Sequence, residues 1–592
     1  MSAVPLRLFP IPRVLRERVG EGAPADAPIA TSIDASLPPE GYALEIGGGA
    51  VQLAARDADG LRHGEGTLAE LRAQHPRALP ALEIRDWPEL AVRGYMLDVS
   101  RDRVPTRATL ERLVDLMARL RMNHLELYVE HTFAYRGHEA VWRDASPLTP
   151  ADLRWLDAHC AARRIELAAN QNCFGHMERW LRHPAYRGRA EAPDGFELPG
   201  LGRRPPAVLA PTPENAAFAL GLAREMMENL KSRRVNIGCD ETFELGRGKS
   251  QADVEVRGRG RVYFEHLMRL MEPLRNEGCE VLFWGDIVRA HAELVPELPR
   301  EGLVALAWHY EAPQDPTTLP DMVRAIAARF GMTDEVLRGF DGVVRPFAEA
   351  GRPFWVCPGT SSWNSLVGRW PNARANCLDA AEQGARQGAQ GFLLTDWGDN
   401  GHLQPPSISF APLLYGAAVA WNPAAHGDLD VAAALDASVF EDEARVLGAL
   451  CEEIGETGAA TGARALNASP LFAALLPTVN VRAFDRGEPA ALARVAERLD
   501  AARERLAAAR PRCADGDIVV RELAQALRLA RHGAWRMLRE AGGGAPSDAE
   551  LARDLDEAIE EQRACWRLRS REGGLADSLA RLEATRALYT RA

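Results

Sequence analysis

The stretch Val235-Asn236-Ile237-Gly238-Cys239-Asp240-Glu241 is a short buried-strand pattern that stops on two adjacent carboxylates. Like charges that close raise the proton affinity of one partner, so one can stay protonated while the other is ionised. An acid beside an anion suits acetal hydrolysis: one group protonates the leaving oxygen and the other stabilises positive charge near the sugar ring. An exposed acidic turn is the alternative reading of the pair taken alone, so its surroundings decide.

Outward from it, residues 90 to 423 alternate between short apolar runs and segments of helical period. The runs fall at 92–99, 124–129, 165–170, 235–239, 281–284, 303–308, 354–356 and 391–395. The clearest helix between them spans 109–121, with Leu110, Leu113, Val114, Met117 and Leu120 on one stripe; others are expected at 151–163, 213–231, 261–278, 333–350 and 374–387. Eight such units predict an α/β fold, a closed (β/α)8 TIM barrel over 89–425. A doubly wound open sheet would compete, but no dinucleotide fingerprint supports it.

Residues 1–88 read as a small α/β domain. Two strands, at 41–46 and 51–53, flank the glycines at 47–49, and a helical pattern covers 67–74. The chain after the triple glycine is strand-like, which predicts a hairpin turn rather than a phosphate cradle. Residues 426–592 change composition: 489–510, 517–540 and 547–571 are rich in Ala, Leu, Glu and Arg at amphipathic spacing. They predict an α-helical C-terminal domain packed on the barrel or on a second subunit. A loop is expected at 541–545, and a homodimer fits this extension.

At 592 residues the chain is too long for one core. Its net charge of −12 disfavours nucleic acid or an anionic membrane as partner. Nine scattered cysteines show no disulfide framework and no Cys-x-x-Cys spacing. The N-terminal arginines 7, 13, 16 and 18 precede no continuous apolar core, and no run approaches a membrane span, so a cytoplasmic protein is expected. The fourteen histidines contain neither His-x-His nor His-Glu-x-x-His; no metal and no cofactor are expected.

In such barrels chemistry sits at the carboxyl ends of the strands. Those ends read Asp98, Glu130, Asn170 with Asn172 and His176, then Asp240-Glu241. The later ends give Trp284 with Asp286, Trp308 with Tyr310, Trp363, and Trp397 with Asp399. Four of thirteen tryptophans therefore fall at the last four ends. Flat aromatic faces stack on the C–H faces of a pyranose while carboxylates bind its hydroxyls, so the set resembles a sugar pocket. A single tryptophan could equally be a core filler.

Arg93-Gly94-Tyr95-Met96-Leu97-Asp98-Val99-Ser100-Arg101, the Gly238-Cys239-Asp240-Glu241 strand end and Trp397-Gly398-Asp399 resemble landmarks of glycoside hydrolase family 20, the β-N-acetylhexosaminidases. The resemblance covers about residues 40 to 425. The helical extension resembles the bacterial N-acetylglucosaminidase branch. The resemblance implies substrate-assisted catalysis with net retention, in which the sugar's 2-acetamido oxygen attacks the anomeric carbon to give an oxazolinium. It implies Glu241 as general acid and then base, Asp240 as acceptor of the acetamido N–H, Tyr310 as donor to the acetamido oxygen, and His176 as support for Glu241. Arg93 and Asp399 would bind ring hydroxyls. Trp284, Trp308, Trp363 and Trp397 would wall the pocket.

Two departures stand out. The family often carries Asp-Asp after the second strand, where this chain has Val129-Glu130-His131; Glu130 takes the first acidic place. Where the family often has Asp-x-x-Gly-His, this chain has Asn172-Cys173-Phe174-Gly175-His176. Gly246-Arg247-Gly248-Lys249-Ser250 ends like a nucleotide P-loop, but position 243 is Phe where that motif needs glycine. It reads instead as a basic loop able to meet an anionic group on a sugar. The expected activity is exo-hydrolysis of terminal β-linked N-acetylglucosamine, or N-acetylgalactosamine, from oligosaccharides. The rivals are a retaining β-glycosidase with its own nucleophile and a non-catalytic carbohydrate-binding protein.

Overall fold

The computed structural model describes residues 8–198, 202–319, 321–329 and 331–590; positions 1–7, including Arg7, lie outside them. Eight parallel strands close into a barrel: β1 Val92–Asp98, β2 His124–Val129, β3 Glu166–Gln171, β4 Arg234–Asn236, β5 Glu280–Trp284, β6 Leu303–Trp308, β7 Phe354–Cys357 and β8 Gly391–Asp396. Closure is made by β8 lying parallel to β1, with Gly391 opposite Val92 and Asp396 opposite Leu97.

The alternation along β2 shows why this sequence makes a barrel stave. Leu125, Leu127 and Val129 join the outer core beneath the helices, while Tyr128 joins the inner core of Met96, Leu282, Trp284, Val304, Trp355 and Leu393. On the inner side buried Glu126 accepts from Asn170 Nδ2 at 2.7 Å and Asn236 Nδ2 at 2.9 Å, and meets His124 Nε2 at 2.9 Å. A carboxylate so enclosed is tolerated because its lone pairs are filled.

The fourth strand is shorter than the apolar run suggests. Gly238, Cys239 and Glu241 have φ of 69°, 76° and 48°, so the chain leaves the extended region two residues before the acid pair. A Cβ at Gly238 would stand 2.2 Å from Asn172 Oδ1, so only glycine fits that turn.

The small N-terminal unit is a five-stranded sheet in the order Val14–Glu17, Leu82–Asp86, Tyr42–Gly47, Ala50–Ala55, Ile29–Ile33. Tyr42–Gly47 and Ala50–Ala55 form the expected hairpin, turning on Gly48 and Gly49, both at positive φ. Helix Ala58–Gln74 covers one face, and Tyr42, Leu44, Leu53, Leu68 and Ile84 form a core of their own.

The helical C-terminal region contains α1 Pro489–Leu506, α2 Gly516–Glu540, α3 Asp548–Arg569 and α4 Leu575–Arg586. It lies on the barrel, and its apolar residues are continuous with the barrel's outer core. Buried Arg569 pairs with Glu522 at 2.9 Å and Asp515 at 2.7 Å, and Asp515 also takes Arg112 from the helix after β1. Further contacts reach the barrel's mouth. Arg581 pairs with Asp102 at 2.9 Å, Ser578 donates to Gly401 O at 2.5 Å and Gln562 to Leu403 O at 3.2 Å.

Arg93 corrects one expectation. It is the second residue of β1, five positions before Asp98, which places it about 16 Å from the mouth. Its guanidinium pairs with Glu40 of the N-terminal unit at 2.6 Å, donates to the carbonyls of Leu90, Ala91 and Arg121, and stacks over Trp421. It ties the N-terminal unit to the floor of the barrel and contacts no sugar pocket. Arg93→Met should lower unfolding free energy by about 3 kcal/mol, the scale of breaking a buried pair, in urea titrations. Ligand binding at the mouth should be unchanged; a variant of native stability would remove this role.

Candidate active site

The mouth of the barrel holds a cavity of about 270 Å³. On its wall stand His176, Asp240, Glu241, Trp308, Tyr310, Trp397 and Asp399, seven of the eleven residues expected from the sequence. Asp240 and Glu241 emerge from the curled end of β4, and His176 enters from the loop after β3 at φ 54°. His176 Nε2 lies 3.2 Å from Asp240 Oδ2 and 3.6 Å from Glu241 Oε2. Burial works against the charged imidazole, yet Asp240, with help from Glu241, holds it up to about 9, against Arg101. Burial likewise opposes the Asp240 anion, but His176 and then Arg101 keep its carboxyl below the ordinary range. Glu241 is pushed up by burial and by Asp240 and Asp399, with His176 opposing. The two neighbours are thus pushed in opposite directions, Asp240 down and Glu241 up. Asp240 Oδ1 is buried and has no hydrogen-bond partner among the described residues, an acceptor left over.

Arg101, not Arg93, is the arginine of this site. It lies three residues beyond Asp98 and lines the cavity. Asp98 holds its Nη1 at 3.0 Å, Glu130 its Nη2 at 3.3 Å, and its guanidinium sits over the rings of Tyr128 and Trp397 at 4.7 and 5.0 Å. Asp98 also accepts from the backbone of Ser100, Arg101 and Gly398, joining the ends of β1 and β8. The sequence carried this signal, since Arg101 closes the nonapeptide that bears the family likeness.

Three expected pocket residues stand behind its wall. Glu130 is buried beneath Arg101 and orients it. Trp284, the last residue of β5, is covered by Trp397 at 5.9 Å between centroids. Trp363 is covered by Tyr310, edge to face at 5.1 Å. On the wall itself Trp308 and Tyr310 stack at 5.0 Å, and Trp397 Nε1 donates to Tyr310 Oη at 2.9 Å.

The two departures at β2 and β3 belong together. Asn172 Nδ2 donates to Tyr128 Oη at 2.9 Å, Tyr128 donates to Glu130 at 3.0 Å, and Glu130 faces Arg101. Asn172 Oδ1 accepts from Cys239 N at 3.3 Å, steadying the turn before the acid pair. An ionised aspartate at 172 has no hydrogen to donate to Tyr128, so asparagine fits a chain that ends on a glutamate.

Asp286, read at the end of β5 without a role, accepts through Oδ2 from Glu241 N at 3.5 Å, and burial with Asp240 and Glu241 nearby raises its carboxyl to about 7. Leu466 and Asn467 line the cavity from the chain beyond the barrel, where no βα pattern could signal them. The glycine-rich segment at 246–250 is not an open cradle: Gly248 N, Ser250 N and Ser250 Oγ all donate to buried Glu191. Arg247 and Lys249 turn to backbone carbonyls. Among the described residues no group of three or more His, Cys, Asp or Glu is placed to hold a metal ion, and no helix is long and apolar enough to cross a membrane.

A barrel whose mouth carries a carboxylate split by a histidine, between aromatic walls, has the form of a glycoside hydrolase site. The family model described as glycosyl hydrolase family 20, domain 2, matches residues 13–87, and that family's catalytic domain matches residues 91–325. The chain belongs to glycoside hydrolase family 20. It is 23% identical over 226 residues to "Hexosaminidase D" of Homo sapiens, covering 36% of this chain and 43% of that one. It is 29% identical over 133 residues to a "Beta-hexosaminidase" of Porphyromonas gingivalis, covering 21% and 17%. The chain therefore spans less than half the length of either relative. Among solved structures, the β-N-acetylhexosaminidase of Bacteroides fragilis superposes with TM-score 0.52 at 15% identity, over 70% of this chain and 90% of that one. The Flavobacterium johnsoniae chitobiase does so with TM-score 0.56 at 14% identity, over 98% and 99%. At these identities the superpositions speak for the fold alone.

The His176–Asp240 pair gives a prediction free of any assay. His176 rises from its ordinary 6.5 to about 9, so its stabilisation is full below 6.5 and lost as pH climbs through 9. Asp240 falls below its ordinary 3.8, so its share is lost on acidification. In urea titrations the margin of wild type over His176→Gln should be largest near pH 6 and shrink toward about pH 10. A margin flat across that span would mean that the pair does not stabilise the fold.

Proposed function

We propose that the protein is an exo-acting β-N-acetylhexosaminidase that releases terminal β-linked N-acetylglucosamine, with N-acetylgalactosamine as a second candidate, from oligosaccharides. The observation that carries this reading is the geometry at the end of β4: Asp240, paired with His176 at 3.2 Å and holding one buried free acceptor, beside Glu241, whose carboxyl is pushed up while that of Asp240 is held down. An acetamido sugar has the matching groups, an amide N–H for Asp240 and a glycosidic oxygen for Glu241.

The sugar's amide oxygen attacks the anomeric carbon as the glycosidic C–O bond breaks, and Glu241 gives its proton to the departing oxygen. Asp240 accepts the amide N–H and offsets positive charge on the forming oxazolinium, while Tyr310 donates its phenolic hydrogen to the amide oxygen. Water then adds at the anomeric carbon from the face that the leaving group vacated, and the bond from that carbon to the amide oxygen breaks to restore the acetamide. Glu241 takes its proton, and configuration is retained. Holding the amide near attack geometry supplies the advantage of an internal nucleophile, whose effective molarity can reach about 10⁵ M or more. Arg101 and Asp399 bind ring hydroxyls, and Trp308 and Trp397 shape the cavity to one ring. Arg101, as a planar fork of donors, suits vicinal hydroxyls in a way that lysine does not. A cytoplasmic setting is supported by nine unpaired cysteines.

Glu241→Gln should lower kcat on an unactivated disaccharide by about 10³-fold or more, and Asp240→Asn by about 10²-fold or more, with the fold intact by circular dichroism. Near-native turnover in either variant would refute the assignment. A thiazoline mimic of the cyclic intermediate should inhibit far more tightly than N-acetylglucosamine itself. Equal inhibition would instead favour a β-glycosidase with an enzyme nucleophile.

A further inference from the structure

Leu466 and Asn467 are the two cavity-wall residues that come from outside the barrel and outside both matched family domains. Their segment comes after helix Thr457–Ala460 and is pinned to the loops after β6 and β7. Asn467 N donates to Glu311 Oε1 at 2.8 Å, and Glu311 is itself held by Arg369 at 3.0 Å. Asn364 Nδ2 donates to Asn467 O at 3.4 Å, and Ser469 N donates to Asn364 O at 2.8 Å. Asn467 has φ 50°, a left-handed conformation that asparagine accepts better than most residues.

The side chain is oriented by one bond. Its Oδ1 accepts from Trp363 Nε1 at 3.1 Å, which fixes which end of the amide is the donor. The carbonyl end is thereby committed to the tryptophan that backs Tyr310. The Nδ2 group has no protein partner among the described residues, and the residue is half-buried on the cavity wall. An amide donor held in this way, on the wall of the cavity that Tyr310 and Trp308 also line, suits an occupant rich in acceptor oxygens. Leu466 beside it is apolar and narrows the same side.

We infer that Asn467 is a substrate-binding residue, donating from Nδ2 to an oxygen of the sugar ring held in the cavity, and that the helical extension thereby completes the pocket. The barrel alone would leave this side open beside Glu311. The inference rests on the proposed function, because it takes the occupant to be an N-acetylhexosamine.

Two substitutions isolate the donor. Asn467→Asp keeps an oxygen for Trp363 Nε1 and removes the amide hydrogens. Asn467→Gly removes the side chain while tolerating the positive φ. Binding of free N-acetylglucosamine is measured by calorimetry on the full-length protein, beside thermal melting and, for turnover, KM and kcat separately. The dissociation constant should rise about five- to twenty-fold in both variants, the scale of one lost hydrogen bond, with KM rising more than kcat falls and melting temperature within a few degrees of wild type. Unchanged affinity in both variants overturns the inference and leaves the functional reading standing. Weakened binding confined to variants that also melt early assigns Asn467 a structural role and overturns it as well. A wild-type protein that binds no N-acetylhexosamine overturns the functional reading, and this inference with it.

Discussion

Two carboxylates adjacent in the chain, one of them buried, are costly to ionise together unless positive charge is held against them. Much of the architecture around β4 answers that constraint. His176 is brought over Asp240 from the β3 loop, and Arg101 from the end of β1. The left-handed turn at Gly238, Cys239 and Glu241 points the two acids to different surroundings. Asn172 holds that turn from one side and Asp286 from the other. The result is an asymmetry between neighbours that sequence adjacency alone would not create.

Arg101 extends the same logic to the barrel's seam. Its charge is balanced by Asp98 and Glu130 and its planar face lies against Tyr128 and Trp397, so β1, β2 and β8 meet on one side chain. Cation–π contacts contribute about 0.5–2 kcal/mol each, more when desolvated. Their greater consequence here is geometric, since a guanidinium between two rings has little freedom to rotate. Asp102, the next residue, is gripped by Arg179 and by Arg581 of α4. A Cβ at Gly574 would meet Asp102 O at 1.9 Å, so the entry to α4 is fitted closely against this loop. The C-terminal helices therefore act on the site from two directions. They clamp the β1 and β8 loops, while the 466–467 segment forms part of the wall.

The placement of the eight strands, and the likeness to glycoside hydrolase family 20, were legible in the sequence because a buried parallel strand and an amphipathic helix leave opposite periodicities. The glycine hairpin at 47–49, the long C-terminal helices and the loop at 541–545 were legible for similarly local reasons. The N-terminal strands Val14–Glu17 and Ile29–Ile33 were not, being exposed edge strands whose residues carry little apolar alternation. At the site, Asp240, Glu241, His176, Tyr310 and Trp397 could be named from their places at strand ends. Arg93 is easily mistaken for a site residue because both arginines of the Arg93–Arg101 segment fit the same chemistry, and only the direction of β1 separates the floor from the mouth.

By itself the sequence determined which residues face inward, through the strict two-residue period of a strand, and which chemistry the strand ends could supply. Tertiary structure alone decided depth: Trp284 and Trp363 belong to the same inner aromatic cluster as Trp397 and Tyr310, yet another ring covers each of them. It also decided which of two adjacent acids is held down and which is pushed up, because that depends on a histidine 64 positions away in the chain. The Asn467 contribution lies equally beyond local reading, because burial and charge at a site are set by groups that are close in space, whatever their separation along the chain.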